Sequence, residues 1–214
     1  MSSDILGNLK QAVLDYDGQA ASKWARKAVE EKIKPTKALA AMTEAIRQIG
    51  DGFGKGDLFL PDLVGGAEAM SAATPILEEE IRRTGGEKET LGNVLIGTVY
   101  GDIHTIGKTM VATLLTAEGF SVTDLGINVT AEQFVEGVRS NNPDILAMSA
   151  LMTMTAPEQR KVIEALTSQG LRDRVKIMVG GGAITQDFAE SIGADGYDPT
   201  APGAARLARR LLGK

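Results

Sequence analysis

The stretch Asn93-Val94-Leu95-Ile96-Gly97-Thr98-Val99-Tyr100-Gly101-Asp102-Ile103-His104-Thr105-Ile106-Gly107-Lys108 opens the part of the chain whose pattern decides the fold. Residues 94–99 form a short apolar, β-branched run, which reads as a buried strand. Residues 101–107 carry two glycines and read as a loop, and residues 108–118 have helical spacing. The same alternation then repeats: strand 121–125, helix 131–140, strand 145–149, helix 157–169, strand 175–179, helix 185–192, short strand 195–197 and helix 202–212. Strictly alternating β and α segments predict a parallel sheet with helices on both faces, an α/β fold. Five strands suit the flavodoxin-like (Rossmann-type) order 2-1-3-4-5. In that order the first and third strands are neighbours, and the crevice at their carboxyl ends is the expected ligand site.

Upstream the periodicity is helical throughout. Helices are expected at about 4–14 and 19–32. A third starts at Pro35 and carries Leu39, Met42, Ile46 and Ile49 at helical spacing; a fourth runs from Pro61 to about 83. The glycine-rich Gly50-Asp51-Gly52-Phe53-Gly54-Lys55-Gly56 is expected to stop the third helix. The predicted organisation is an N-terminal four-helix cap over residues 1–85, a polar, glycine-containing linker over 86–92 that would serve as a hinge, and an α/β domain over 93–214.

Composition narrows the function. The net charge of −5 and the lack of a long basic run argue against a nucleic-acid partner. With no cysteine in the chain, disulfides, thiolate metal sites and a cysteine nucleophile are excluded. The opening Met-Ser-Ser-Asp-Ile-Leu-Gly has neither the basic nor the apolar segment of a secretory signal, and no apolar run is long enough to span a bilayer. A cytoplasmic protein with no membrane partner is the expectation.

Three loops meet at the predicted switch point: Gly101–Gly107 after the first strand, the segment Ser149-Ala150-Leu151-Met152-Thr153 after the third, and Gly180-Gly181-Gly182 after the fourth. His104 is the sole histidine of the chain. Asp102, two residues before it, can accept a hydrogen bond from one ring nitrogen and leave the other free for a metal. Its alternative use is as a cap for the following helix. Neither GxxxxGK[ST] nor GxGxxG is present, and a phosphoacceptor aspartate at the end of strand three is replaced by Ser149. An Asp102–His104–Ser149 hydrolase triad remains an alternative, although Ser149 lies outside any GxSxG elbow. A cobalt corrinoid suits the set better. One imidazole can hold the lower face of the cobalt while the cofactor's nucleotide tail enters a slot cleared by Gly180, Gly181 and Gly182.

Asp102-x-His104-x-x-Gly107, then Ser149-x-Leu151, then Gly180-Gly181, with 41 residues between the first two pieces and 28 between the last two, resembles the cobalamin-binding signature of methyltransferase corrinoid proteins and of the cobalamin module of methionine synthase. The segment Gly52-x-Gly54-x-Gly56-x-x-Phe59-Leu60-Pro61-Asp62-Leu63, followed by Ala67-Glu68-Ala69-Met70, resembles that family's helical cap. Gly196-Tyr197 resembles its segment beside the nucleotide tail. Two positions depart from the pattern: Thr105 stands where a second aspartate is common, and Asp198-Pro199-Thr200-Ala201 replaces Ala-x-Asp-Ala.

The resemblance implies a cobalamin or related corrinoid bound base-off with His104 on the cobalt. It implies cofactor contacts from Gly101, Asp102, Ile103, Thr105, Ile106, Gly107, Ser149, Leu151, Thr153, Gly180, Gly181, Gly182, Gly196 and Tyr197, with Phe59 and Met70 from the cap. Asp102 and Ser149 would form a proton relay behind the ligand. The implied function is a methyl carrier with little activity alone. It would accept a methyl group on Co(I) from a substrate-specific methyltransferase and donate it from methyl-Co(III) to a second, folate- or thiol-dependent methyltransferase, with a reductive activase as a further partner. A cobalamin-binding sensor is the alternative from another class.

Overall fold

The computed structural model describes residues 2–84 and 90–214. The chain divides into two compact units, an N-terminal one reaching Thr90 and a C-terminal one made of Leu91–Leu115 and Gly119–Lys214. Most of the expected linker lies outside the described residues. Among the described residues, no helix is long and apolar enough to cross a membrane.

The N-terminal unit packs α1 (Ser2–Leu14), α2 (Gly18–Glu30), α3 (Pro35–Lys55) and α4 (Leu60–Thr84). Leu9, Val13, Met42, Ile46, Ile49, Leu63 and Leu77 recur at helical spacing and are fully buried, each worth about 1.5–3 kcal/mol against exposure. α3 does not stop where its glycines begin. It continues through Gly50, Gly52 and Gly54 to Lys55, and ends at Gly56, whose φ of +83° provides the left-handed cap. Interior glycines cost only about 1 kcal/mol each, so tertiary packing overrides them. A Cβ on Gly52 would lie 2.8 Å from the Leu58 side chain, so the absence of a side chain lets the chain fold back closely after α3.

The C-terminal unit contains β1 (Asn93–Thr98), α5 (Ile106–Glu118), β2 (Ser121–Asp124), α6 (Ala131–Asn141), β3 (Ile145–Ser149), α7 (Ala156–Ser168), β4 (Lys176–Gly180), α8 (Gln186–Ser191), β5 (Gly196–Tyr197) and α9 (Ala201–Leu211). A short 3₁₀ turn at Arg172–Arg174, not foreseen in the sequence, precedes β4. The sheet is parallel with order β2-β1-β3-β4-β5, as the alternation predicts. Side chains alternate between its faces. Leu95, Leu146 and Ile177 share a register row and face a core with Phe134, Val162 and Leu166 from α6 and α7. The alternate rows, Ile96–Ala147–Met178 and Thr98–Ser149–Gly180, face the opposite way. Strand pairing thereby fixes which residues can meet a ligand at the carboxyl edge of β1, β3 and β4.

Candidate functional site

The loop after β1 is pinned before it reaches His104. Gly101 adopts φ +77°, a left-handed conformation that glycine tolerates best, and its N–H donates to Asn128 Oδ1 at 2.7 Å. The Asp102 N–H donates to the Val99 carbonyl at 3.1 Å. The turn carries the Asp102 side chain inward, where it is fully buried. A buried carboxylate is tolerated only if its lone pairs are used. Here Oδ1 accepts from the His104 N–H at 3.0 Å and from His104 Nδ1 at 2.7 Å. Oδ2 accepts from the Leu151 N–H at 2.8 Å and from the Thr155 hydroxyl at 2.7 Å. Burial alone would raise the pKa of Asp102. The hydrogen bonds from Thr155, from the His104 N–H and ring, and from Leu151 outweigh it, and the carboxyl is held far below the usual carboxylate range. Asp102 is therefore a fixed negative charge.

That charge sets the histidine. A carboxylate can only accept, so Nδ1 carries the proton and the other nitrogen, Nε2, keeps its lone pair in the neutral ring. Nε2 has no hydrogen bond to the protein among the described residues, and the His104 side chain is 47% exposed. The Thr98 hydroxyl donates to the His104 carbonyl at 3.0 Å and holds the loop from below. The arrangement presents one oriented, unprotonated imidazole nitrogen to solvent.

A cavity of about 450 Å³, reached on this side by Gly107 and Lys108, opens between the sheet and helices α5 and α9. Ser149 and Gly180, Gly181 and Gly182 line it, but the glycines have different roles. A Cβ on Gly180 would meet nothing within 4 Å, so Gly180 clears space in the groove. Gly181 has φ +115° and a Cβ there would lie 2.0 Å from the Ala150 carbonyl oxygen; this glycine is demanded by the backbone. A Cβ on Gly182 would press on Leu151 at 2.8 Å. Tyr197 also lines the cavity, whereas Gly196 mainly permits close packing with Leu207 of α9.

Ile103, Ile106 and Leu151 are exposed, and with Tyr100, Met152 and Met154 they form an apolar rim on the loops that follow β1 and β3. Thr105 sits 3.3 Å from Thr109 in the first turn of α5, Gly107 has open space around it, and Thr153 is exposed on the loop after β3. Phe59 and Met70 belong to the N-terminal unit. Phe59 is 69% exposed at the start of α4, where its N–H donates to Asp62 Oδ2 at 2.8 Å; Met70 is buried within α4's packing.

Comparison with known proteins agrees with this geometry. Residues 92–206 match the B12 binding domain, and residues 5–78 match a second family of the same description. The chain belongs to the B12-binding corrinoid proteins. It is 40% identical over its whole length to a corrinoid protein of Desulfitobacterium hafniense that it also covers completely. It is 40% identical to the trimethylamine corrinoid protein of Methanosarcina barkeri, over 98% of this chain and 97% of that one. Among solved structures, the methanol:cobalamin methyltransferase complex of Methanosarcina barkeri superposes with a TM-score of 0.87 at 27% identity, covering 98% of this chain and 80% of that one.

The residues present fit a corrinoid: a single free imidazole nitrogen backed by a carboxylate, an apolar rim, and a groove that a side chain at Gly180 would invade. Two expectations from sequence need correction. The hydrolase triad is not formed, because no hydrogen bond joins Ser149 to His104 among the described residues. Nor does Ser149 complete the Asp102 relay. Ser149 lies in register with Gly180 on the groove face, while Asp102 Oδ2 is taken by Thr155. The one signal for Thr155 in this corrinoid protein was its position before Ala156-Pro157 at the start of α7, where a threonine usually caps its own helix. Here its side chain makes no cap hydrogen bond, because the hydroxyl is turned to Asp102. Lys108 was also missed: it is buried beside the cavity and paired with Asp124.

Proposed function

We propose that this corrinoid protein carries methyl groups on a corrinoid cobalt held base-off with His104 Nε2 as the lower axial ligand. The observation that carries the proposal is the Asp102–His104 contact of 2.7 Å, which leaves Nε2 free on the loop that leads to Gly107 and Lys108 of the cavity lining. When bound, the cofactor would supply the methyl-carrying atom, its cobalt.

The chain's own residues tune that atom. Asp102 holds the Nδ1 proton and fixes the ring plane; the Thr155 hydroxyl and Leu151 N–H keep Asp102 ionised and in place. With Nδ1 turned to Asp102, Nε2 would be the atom that holds the corrinoid metal, and Asp102 with Thr155 would position it.

The methyl donor would be a methylated amine bound to a substrate-specific methyltransferase, a reading supported by the 40% identity to the trimethylamine corrinoid protein over nearly the whole of both chains. A second methyltransferase would receive the methyl group, and a reductive activase would be a further partner.

The test uses the fact that the chain has one histidine. The protein is reconstituted with cobalamin, reduced to Co(II), and its electron paramagnetic resonance compared with natural and ¹⁵N-labelled histidine. The axial nitrogen splitting is expected to change from a triplet to a doublet on labelling. A triplet that survives labelling means that the cofactor's own base is the ligand, and refutes the proposal.

A further inference from the structure

The groove beside His104 is polar at its mouth and apolar at its floor. At the mouth, the row Thr98–Ser149–Gly180 ends the three strands. Two residues back along each strand, on the same face, lies the row Ile96–Ala147–Met178, about 6–7 Å deeper at ~3.3 Å per residue. Opposite it, α5 contributes Met110 and Val111 and α9 contributes Ala204. These six lining side chains carry no nitrogen or oxygen.

Three of the polar residues that line the cavity are engaged within the protein. Lys108 is paired with Asp124. Asp198 Oδ1 accepts from the Thr200 N–H at 2.9 Å and from its hydroxyl at 2.8 Å, while Thr200 Oγ1 accepts from the Gly203 N–H at 3.0 Å. Tyr197 shares its register row with Val179 and packs on the core of the opposite face. Ser149 is at the mouth, two residues above the floor. A group reaching the floor therefore finds thioether, branched alkyl and methyl surface, with the backbone of β1, β3 and β4 already paired in the sheet.

We infer that this groove selects corrinoids by their lower base, taking an alkyl-substituted benzimidazole in preference to adenine. The inference rests on the base-off reading above, because only a base released from cobalt can reach the floor. The two bases share the ring nitrogen that once faced the metal. They differ at the far edge, where dimethylbenzimidazole has two methyl groups and adenine has two ring nitrogens and an amino group. Methyl groups gain from burial against Met178 and Met110. The adenine edge would leave its polar groups without partners. An apolar pocket of this kind discriminates by about 10- to 100-fold. Thioethers are adaptable, so the discrimination is against polarity more than against size.

The test titrates the full chain with cobalamin, with its adenine-base analogue, and with cobinamide, which lacks the nucleotide, following the visible spectrum. Each Kd is corrected for the measured base-off equilibrium of the free cofactor. The expected result is cobalamin tighter than the adenine analogue by roughly 10-fold or more. Val111→Thr and Met178→Gln, which add a polar group to either wall, are expected to lower that ratio; Val111→Thr puts one hydroxyl at a half-buried site, and urea unfolding of both variants checks that the fold is kept. Equal corrected affinities for the two bases, or a ratio that neither variant moves, overturn the inference alone. Cobinamide binding as tightly as cobalamin means that the groove holds no tail and overturns the inference, while the base-off reading itself stands or falls with the nitrogen splitting.

Discussion

Asp102→Asn is the perturbation that interrogates the site most directly. One carboxylate oxygen accepts from the N–H and ring of His104, and the other from the N–H groups of Leu151 and Met152 and the hydroxyl of Thr155. Asparagine keeps one oxygen, so its NH₂ must face one of these two sets. If it faces Leu151, Met152 and Thr155, the hydroxyl can rotate to accept but the Leu151 N–H is orphaned, at about 1–3 kcal/mol, and the longer Met152 contact is lost as well. If it faces His104, a second N–H is orphaned and the ring must turn an unprotonated Nδ1 to the amide, which moves the proton to Nε2 and removes the metal-binding lone pair. Either orientation weakens the ligand. The expected loss is about 10- to 100-fold in corrinoid affinity, the usual effect of removing a carboxylate behind a metal-bound histidine.

The assay for this variant is a titration with hydroxocobalamin followed in the visible, paired with urea unfolding of the cofactor-free protein. The acid limb gives a second reading. Asp102 stays ionised in the fold well below the ordinary carboxylate range, while in the unfolded chain it titrates near its usual value. Its stabilisation is thus complete at neutral pH and is lost as the pH falls below that usual value. Asp102→Asn should flatten this part of the stability profile. An asparagine variant with unchanged cofactor affinity and unchanged axial nitrogen splitting would refute the reasoning.

Four further outcomes follow from the same geometry. His104→Ala should leave at most weak corrinoid binding and an altered visible spectrum, measured after desalting a mixture with excess cofactor. Thr155→Val should weaken cofactor binding and shift the acid limb towards higher pH, whereas Thr155→Ser and Ser149→Ala should leave that limb in place; unfolding curves across pH separate them. Gly181→Ala should destabilise the fold by about 2–5 kcal/mol in urea, because it combines φ +115° with a Cβ 2.0 Å from the Ala150 oxygen. Gly180→Val, with no atom within 4 Å of the first added carbon, should instead fold normally and weaken cobalamin while sparing cobinamide, read by parallel titrations.

The sheet was legible because burial on both faces of a parallel strand leaves short apolar runs such as those of β1 and β3, and because β and α segments alternate without exception over the C-terminal unit. Its order, β2-β1-β3-β4-β5, then follows from handed crossovers that leave few alternatives. Helix ends were less legible. α3 runs five residues past Gly50 because the glycines between Gly50 and Gly54 are solved by packing, and local propensity has no view of Leu58 folding back on Gly52. His104 and Asp102 were legible for another reason: they are two residues apart, so one turn of backbone suffices to join them. The glycines were found as a group, but their separate tasks depend on φ and on the Ala150 carbonyl, which no spacing reveals.

Ser149 and Thr155 show where sequence reading meets its boundary. Both are hydroxyl residues near the end of β3, and the strand-end serine is the natural choice to stand behind a ligand at a switch point. Strand parity decides otherwise. Ser149 pairs in register with Thr98 and Gly180, so its side chain belongs to the face that carries the groove. Asp102 sits in the loop above β1 and directs Oδ2 towards the chain leaving β3, where the Leu151 N–H and the Thr155 hydroxyl converge from 49 and 53 residues away. Convergence over that distance is a property of the assembled sheet. The two hydroxyls consequently divide between the two demands a tailed, metal-centred ligand makes on one edge: Ser149 faces the slot, and Thr155 holds the charge that aims the imidazole. A protein that needed only a hydrolytic serine or only a capped helix would have no reason to turn Thr155 away from its own helix and onto a buried carboxylate.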